Sequence, residues 1–384
     1  MKFDIAIVGG GMVGAALAAA LKNTALTIAL IDSAPVAPSE DARLLGLNYA
    51  SFSFFNTLTI WPMLAPHACP IEQIHVSHRG HFGTSHVSAK EQGLDTLGYL
   101  VPATYINLAL NNTLNDTANI TLLRSSTLKA LAHTQEGATL TVETNGTTTT
   151  LDATIVIGAD GTHSTVRELL GIPTETIDYH QSALVTTTEL NRDHKNTAYE
   201  RFQDKGAIAM LPMTDQRAAT IWTAPNERIQ YLLELDDETF LKELQTCFGY
   251  RLGRFIRTQK RAVYPLKNSC AKQQKQKNVL LIGNAAHTLH PIASQGLNLA
   301  LHEISILAEY LAHKPTSLDH LPDYRKQQNF SAQLSHQLVR LFSTDFFGLS
   351  AARSIAMIGF DIFPAIKNRL MRQAIGSTRN ACKK

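Results

Sequence analysis

An α/β fold is predicted for this chain: a Rossmann-like parallel sheet flanked by helices, an inserted and mostly antiparallel β-sheet domain, and C-terminal helices. Three features of the sequence carry that expectation. The chain opens on an apolar run, a glycine-rich turn and an Ala/Leu-rich segment. Apolar and polar residues alternate through 182–222, the period of a strand with one buried face. A second buried run, 278–283, again ends in glycine ahead of an apolar segment reaching Tyr310.

The opening unit follows position by position. Ile5-Ala6-Ile7-Val8 is a strand-like run, and Gly9-Gly10-Gly11-Met12-Val13-Gly14 follows it. Residues 15–21 have high helix propensity, and a second apolar run, 26–31, stops on Asp32. Strand, glycine turn, helix, strand and acid together form the dinucleotide-binding βαβ pattern, which a lone GxGxxG does not. Gly9 allows the tight exit from the strand, Gly11 lets a pyrophosphate approach the backbone, and Gly14 lets the helix pack close to the sheet. The pyrophosphate would rest on unpaired N–H groups at the helix N-terminus. Asp32 stands about 20 residues on, where a carboxylate accepts from ribose hydroxyls and repels a 2′-phosphate; FAD or NAD suits it better than NADP. Lys2 before small apolar residues also resembles a secretory signal, but Asp4 and the glycine run argue against one.

At 384 residues the chain is long enough for two domains with full cores. Apolar residues make up 44% and charged residues 17%, below the roughly 25% usual for soluble proteins, which suits a greasy substrate or partner. A net charge of +3 is too small to point to nucleic acid. Four cysteines without CxxC spacing indicate neither a disulfide framework nor a zinc site, and a cytoplasmic setting fits. No apolar run approaches ~18 residues, so no transmembrane helix is expected.

Beyond Asp32 comes a Pro-rich turn at 34–39, then a loop carrying Arg43, which by itself is a surface arginine. Residues 74–99 are His- and Gly-rich without a helical period, so short strands and turns are expected. The irregular spacing of His75, His78, His81 and His86 argues against a metal site. A helix is expected at 102–112. Asn145-Gly146, between the strands 139–142 and 148–151, signals a type I′ hairpin, and 153–157 is a buried strand leading into Gly158-Ala159-Asp160-Gly161. A helix at 236–248 would be capped by Asp236 or Asp237. The basic, Gln-rich segment 272–277 closes the inserted domain. Gly283 and Asn284 are expected to open the helix that runs through Tyr310 and to form a second anion site. His287 and His290 lack a third ligand, so a structural or cofactor-adjacent role outweighs zinc. The apolar-rich segment 338–375 is expected to pack on the body or in an oligomer interface, the alternative being an amphipathic surface for a membrane or lipid-bearing partner.

Three stretches, GGGMVG at 9–14, GADGTHSTVR at 158–167 and GNAAHTLHPIASQGLN at 283–298, occur in an order and at separations that resemble the aromatic-ring flavoprotein monooxygenases of the p-hydroxybenzoate hydroxylase fold. The resemblance spans nearly the whole chain. Within that family the chain is most similar to the ubiquinone-biosynthesis hydroxylases, in particular the 2-polyprenyl-6-methoxyphenol hydroxylase branch, through residues 79–102 and 284–296.

That resemblance implies FAD as cofactor and NAD(P)H as co-substrate, the latter bound transiently without its own Rossmann domain. Reduced flavin would capture oxygen as a C4a-hydroperoxide and pass one atom to a phenol ring. The implied cofactor-binding residues are Gly9, Gly11, Met12, Val13, Gly14, Asp32, Arg43, Asp160, Gly161, Gly283, Asn284, Pro291, Gln295, Gly296, Leu297 and Asn298; no base for the phenol is identified. The implied domains are 1–72 with 99–176 and 276–330 for FAD, 73–98 with 177–275 for substrate, and a helical region at 331–384. The implied substrate is a polyprenylated phenol, its tail in an apolar channel between the 183–222 sheet and the flavin. Partners would be ubiquinone-biosynthesis subunits, a peripheral contact with the inner membrane, or a second copy of the chain. The chain departs from the family at Asn284, where an acid is usual, at Ser294, where glycine is usual, and in lacking an arginine at the start of the 102–112 helix. Two other readings remain: a sister hydroxylase acting at another ring position, and a flavin-binding scaffold with little turnover.

Overall fold

The computed structural model describes residues 1–321 except 36–40, 42, 81–83, 116, 289–294 and 314–315. The helical region expected at 331–384 lies outside the described residues, as do His81, His290, Pro291 and Ser294.

A parallel sheet forms the first layer. Lys2–Val8 lies between Thr147–Gly158 and Ile28–Ile31; Val279–Leu281 extends it on one side and Ile120–Leu123 on the other. These strands are near-continuous apolar runs because both faces of the sheet are covered. Ile5, Ile7, Ile28, Leu30, Ile155 and Ile157 pack with the helices Met12–Leu21, Ala103–Leu114 and Gln295–Ala312. Ala6, Val8, Ala29, Ile31, Val156 and Leu281 face the opposite side, over the antiparallel pair Ser126–His133 and Ala138–Thr144. Each fully buried Ile or Leu contributes about 1.5–3 kcal/mol, so this two-sided core holds the strand ends in fixed register. Asn145 (φ 50°) and Gly146 (φ 80°) make the expected hairpin turn. Its second arm and the buried 153–157 strand are one continuous strand, antiparallel to Ala138–Thr144 at its start and parallel to Lys2–Val8 at its end.

Among the described residues the second sheet has nine strands. Thr174–Leu190 is its spine, between Ala262–Ala271 and Arg217–Pro225; Gly206–Met213, Thr197–Gln203, Gln73–His78 and Thr84–Ser88 continue outward. Among the described residues, Gln73–His78 with Thr197–Gln203 is the one parallel pairing in it. The helices Asn226–Glu234 and Asp237–Phe248 roof one face and bury Leu184, Ile208, Met210 and Trp222. Asp236 caps the second of them, accepting from the Thr239 N–H at 2.8 Å. A small third sheet, Leu44–Asn48, Gly98–Pro102 and Cys69–Ile71, lies between the two, its last two strands against Gly206–Met213.

Sheet membership crosses the boundaries drawn from sequence. The spine of the second sheet starts at Thr174. Lys275–Gln276, in the segment expected to be a linker, pairs with Val279–Leu281 and so belongs to the parallel sheet. His287–Thr288 pairs with Ala262–Ala271 and stitches the last nucleotide-side segment to the second sheet. Among the described residues no helix is long and apolar enough to cross a membrane.

Candidate active site

The three glycine-bearing turns meet at the carboxyl ends of three adjacent parallel strands, Lys2–Val8, Thr147–Gly158 and Val279–Leu281. That crevice is where open α/β sheets bind ligands. Gly9 (φ +104°) passes so close to the middle motif that a Cβ there would lie 2.5 Å from the Ala159 carbonyl oxygen. A Cβ on Gly14 would lie 1.9 Å from the Gly9 oxygen, so the helix start and the strand exit touch through their backbones. Gly283 (φ +55°) rests on Val13, joining the third turn to the first.

The first turn is shaped for an anion. Gly11 is the N-cap of Met12–Leu21, offers no side chain to cap it, and is followed by no acid in the first turn, so the leading N–H groups keep their donor capacity. Nothing lies within 4 Å of where a Gly11 side chain would point. Met12 and Val13 are half-buried against the apolar core beside it. Asp32 stands across the turn, its Oδ2 2.5 Å from where a Gly10 Cβ would be. Its backbone is fixed on both sides, N–H to Leu123 O (2.9 Å) and C=O from Ser126 N–H (2.8 Å), while Oδ1 accepts from the Ala34 N–H at 3.1 Å. An open glycine cradle, uncapped N–H groups and an adjacent carboxylate fit a pyrophosphate and its ribose, the pattern FAD presents.

The middle motif works as a brace. Asp160 accepts from Ser164 Oγ (2.6 Å) and the Val166 N–H (3.0 Å), tying down the start of the short helix Thr165–Leu169. Gly161 (φ +82°) turns the chain in the left-handed region, with open space on its side-chain side. Arg167, absent from the sequence-derived set, donates to Thr162 O (2.8 Å) and to Ala285 O (2.9 Å), so one guanidinium clamps the middle turn to the third.

The third turn differs from expectation. Residues Gly283–Ala285 form a single tight turn and His287–Thr288 a short strand; the helix is Gln295–Ala312. The structure therefore corrects the expected helix start at Asn284. The chain here is drawn into pairing with the second sheet before it can coil. Asn284 is exposed on the turn. Glu303, from the helix, accepts from the Gly283 N–H (3.4 Å) and pairs at 2.6 Å with His287 Nε2, both side chains being buried. Glu303 is one of two acids in this helix, and the letters alone do not distinguish it from Glu309. His287 thus holds the turn in place.

The remaining candidates divide. Gly296, in the first turn of the helix, has free space on its side-chain side, and Leu297 is half-buried on the apolar core. The Asn298 amide donates to Gly46 O (2.8 Å) and accepts from the Asn48 N–H (2.9 Å), tethering Leu44–Asn48 to this helix. Gln295 starts the helix. Arg43 is turned to Asp41, with Nε 2.8 Å from Oδ1 and Nη2 2.6 Å from Oδ2, and its charge is balanced there. Pro291 lies outside the described residues.

Comparison with known proteins agrees with this geometry. The family model described as an FAD binding domain matches residues 2–326. Ubiquinone hydroxylase UbiL of Rhodospirillum rubrum is 32% identical over 98% of this chain and 90% of that protein. The 3-demethoxyubiquinol 3-hydroxylase of Escherichia coli is 29% identical over 97% and 98%. Among solved structures, p-nitrophenol 4-monooxygenase PnpA from Pseudomonas putida shares the fold, with a TM-score of 0.78 at 15% identity over 98% of this chain and 99% of that one. The chain therefore belongs to the FAD-binding-domain family of flavin-dependent aromatic monooxygenases, among which the ubiquinone hydroxylases are its relatives.

Proposed function

We propose that this protein hydroxylates the ring of a polyprenylated phenol in ubiquinone biosynthesis, with FAD as cofactor and NAD(P)H and oxygen as co-substrates. The observation that carries this reading is the meeting of three turns, far apart in sequence, on one strand-end crevice. A dinucleotide needs such a long, multi-turn cradle, whereas a mononucleotide or single phosphate needs one turn. In this reading the N–H groups behind Gly11 hold the pyrophosphate, Asp32 accepts from the adenosine ribose, and the Gly283–Ala285 turn with Asn284 lies along the ribityl chain. Arg167 and the His287–Glu303 pair fix that turn, and Gln295, Gly296 and Leu297 border the flavin. When bound, FAD accepts electrons from NAD(P)H and activates oxygen for transfer to an electron-rich ring. The chain supplies orientation, a dry surface and proton handling.

The low share of charged residues supports a substrate with a lipid tail. Such a tail partitions into bilayers, so a peripheral membrane contact or docking with other pathway subunits accompanies this reading. The test is mass spectrometry of quinone precursors in cells lacking the gene. Accumulation of a polyprenyl phenol missing one hydroxyl is expected and names the carbon; an unchanged quinone profile overturns the proposal.

A further inference from the structure

We propose that Glu200 is the base that takes the hydroxyl proton from the phenolic substrate, an inference that rests on the hydroxylase reading above. The argument begins with the two faces of the second sheet. Leu184, Ile208 and Trp222 stand opposite one another under the helical roof. Counting one residue along each strand gives a row on the other face: Val76, Glu200, Ala209, Ile221, Val185 and Ala262. Glu200 is the one carboxylate in an otherwise apolar line. Protein surrounds it, yet the residue is only half-buried, as are Val76, Ile221 and Val185 beside it. A group enclosed but still reachable sits on the wall of a cleft.

That face looks toward the nucleotide side of the molecule. Tyr264, in register with Ala183 on this same face, lies near Arg43 of the nucleotide side. The Gly206–Met213 strand packs against the small third sheet, and the Ala262–Ala271 strand is paired directly with His287–Thr288 of the third turn. An apolar row carrying one acid, joined at its edge to a cofactor turn, has the chemistry of a pocket for a greasy phenol.

Glu200 has no hydrogen-bond or ion-pair partner among the described residues, and burial alone lifts its carboxyl to about 7. A base is most effective with a pKa near the working pH. No charged group is among the causes that displace it. On this face the neighbouring strands carry Ile74, Val76, Ala207, Ala209 and Leu211, with His78 as their titratable group. The facing third sheet contributes Cys69, pushed up by burial to about 11, and Tyr99, also raised by burial. In the step proposed, the phenol O–H bond breaks, its electron pair stays on oxygen, and the proton moves to the Glu200 carboxylate. The resulting phenolate enriches the ring, and the proton later leaves to water in the cleft.

The experiment uses the full-length, FAD-loaded protein with 2-geranylphenol and a more acidic ring-fluorinated analogue, comparing wild type with Glu200→Gln and Glu200→Asp. In the wild type kcat/KM should rise with pH through about 7. Glu200→Gln should retain FAD, fall by about 100-fold or more and lose that limb, Glu200→Asp should keep the limb, and the fluorinated phenol should restore roughly tenfold in the Gln variant only. A Gln variant within about threefold of wild type, with the limb intact, overturns the proposal. A second readout needs no turnover: fluorine NMR of the bound analogue should show two coupled ionisations in wild type and one in Glu200→Gln. If no phenol is hydroxylated by the wild type, the hydroxylase reading fails. The NMR titration then decides Glu200 alone, one uncoupled ionisation in both proteins counting against it.

Discussion

Glu200 makes a prediction about stability that does not depend on catalysis. Its carboxyl rises from 4.5 in the unfolded chain to about 7 in the fold because burial disfavours the charged form. The folded state therefore holds more protons than the unfolded state between those values, so stability falls as pH rises through that window. Below 4.5 both states are protonated and there is no penalty; above about 7 the folded state carries all of it. At about 1.4 kcal/mol per unit the shift corresponds to at most about 3.5 kcal/mol. Because Glu200 is only half-buried, solvent screening reduces this to about 2 kcal/mol. Glutamine has nearly the same shape and no charge, so its own cost does not change with pH. Urea unfolding at pH 5 and pH 8, with FAD saturating in both proteins, should show Glu200→Gln gaining about 2 kcal/mol on wild type between the two conditions. Parallel pH curves for the two proteins would refute the argument, because they would mean that the folded carboxyl titrates like a free one.

The turns yield three further tests. Gly14→Ala should destabilise the fold and abolish FAD retention, since its Cβ would meet the Gly9 oxygen at 1.9 Å; Gly11→Ala, with nothing within 4 Å, should melt like wild type but bind FAD much more weakly. Equal melting losses in the two would contradict the cradle. Arg167→Ala removes the clamp between Thr162 O and Ala285 O, worth about 1.5–3 kcal/mol for charged hydrogen bonds, so FAD affinity by fluorescence titration should fall roughly 10- to 100-fold. Asn284→Asp, on an exposed turn position, should leave NAD(P)H-dependent hydroxylation largely intact; a large gain would mean that the amide impairs the site.

What the sequence disclosed and what it withheld have separate physical causes. The first βαβ unit was legible because its constraints are local. Gly14 is dictated by the Gly9 backbone five residues before it, and the strand, turn, helix and terminal Asp32 all fall within one short stretch, although Gly9 also meets Ala159 far along the chain. The Asn145-Gly146 turn and the Asp236 cap are local in the same way. The Gly283–Ala285 turn was misjudged because its neighbour is not local. His287–Thr288 is captured by the Ala262–Ala271 strand, and that pairing delays a helix which propensity alone would start earlier. Arg167 escaped for a related reason: its acceptor Ala285 O lies far along the chain, and a backbone oxygen leaves no trace in a sequence motif.

Glu200 escaped for a deeper reason. The strand Thr197–Gln203, with Ala198, Glu200 and Phe202 on one face and Tyr199 and Arg201 on the other, has no clear apolar side. Alternation reports that a strand has two faces; it does not report which of them another layer will cover. In an ordinary half-exposed sheet a lone glutamate marks the solvent side, and that is the natural inference from the letters. Here the helical roof takes one face and the nucleotide side lies toward the other, so a residue with the sequence signature of a surface acid ends enclosed by protein, with no partner among the described residues. A carboxylate displaced by burial in this way costs stability as pH rises. The fold tolerates that cost where a proton has to be exchanged, which makes stability against pH and rate against pH two measurements of the same displaced equilibrium.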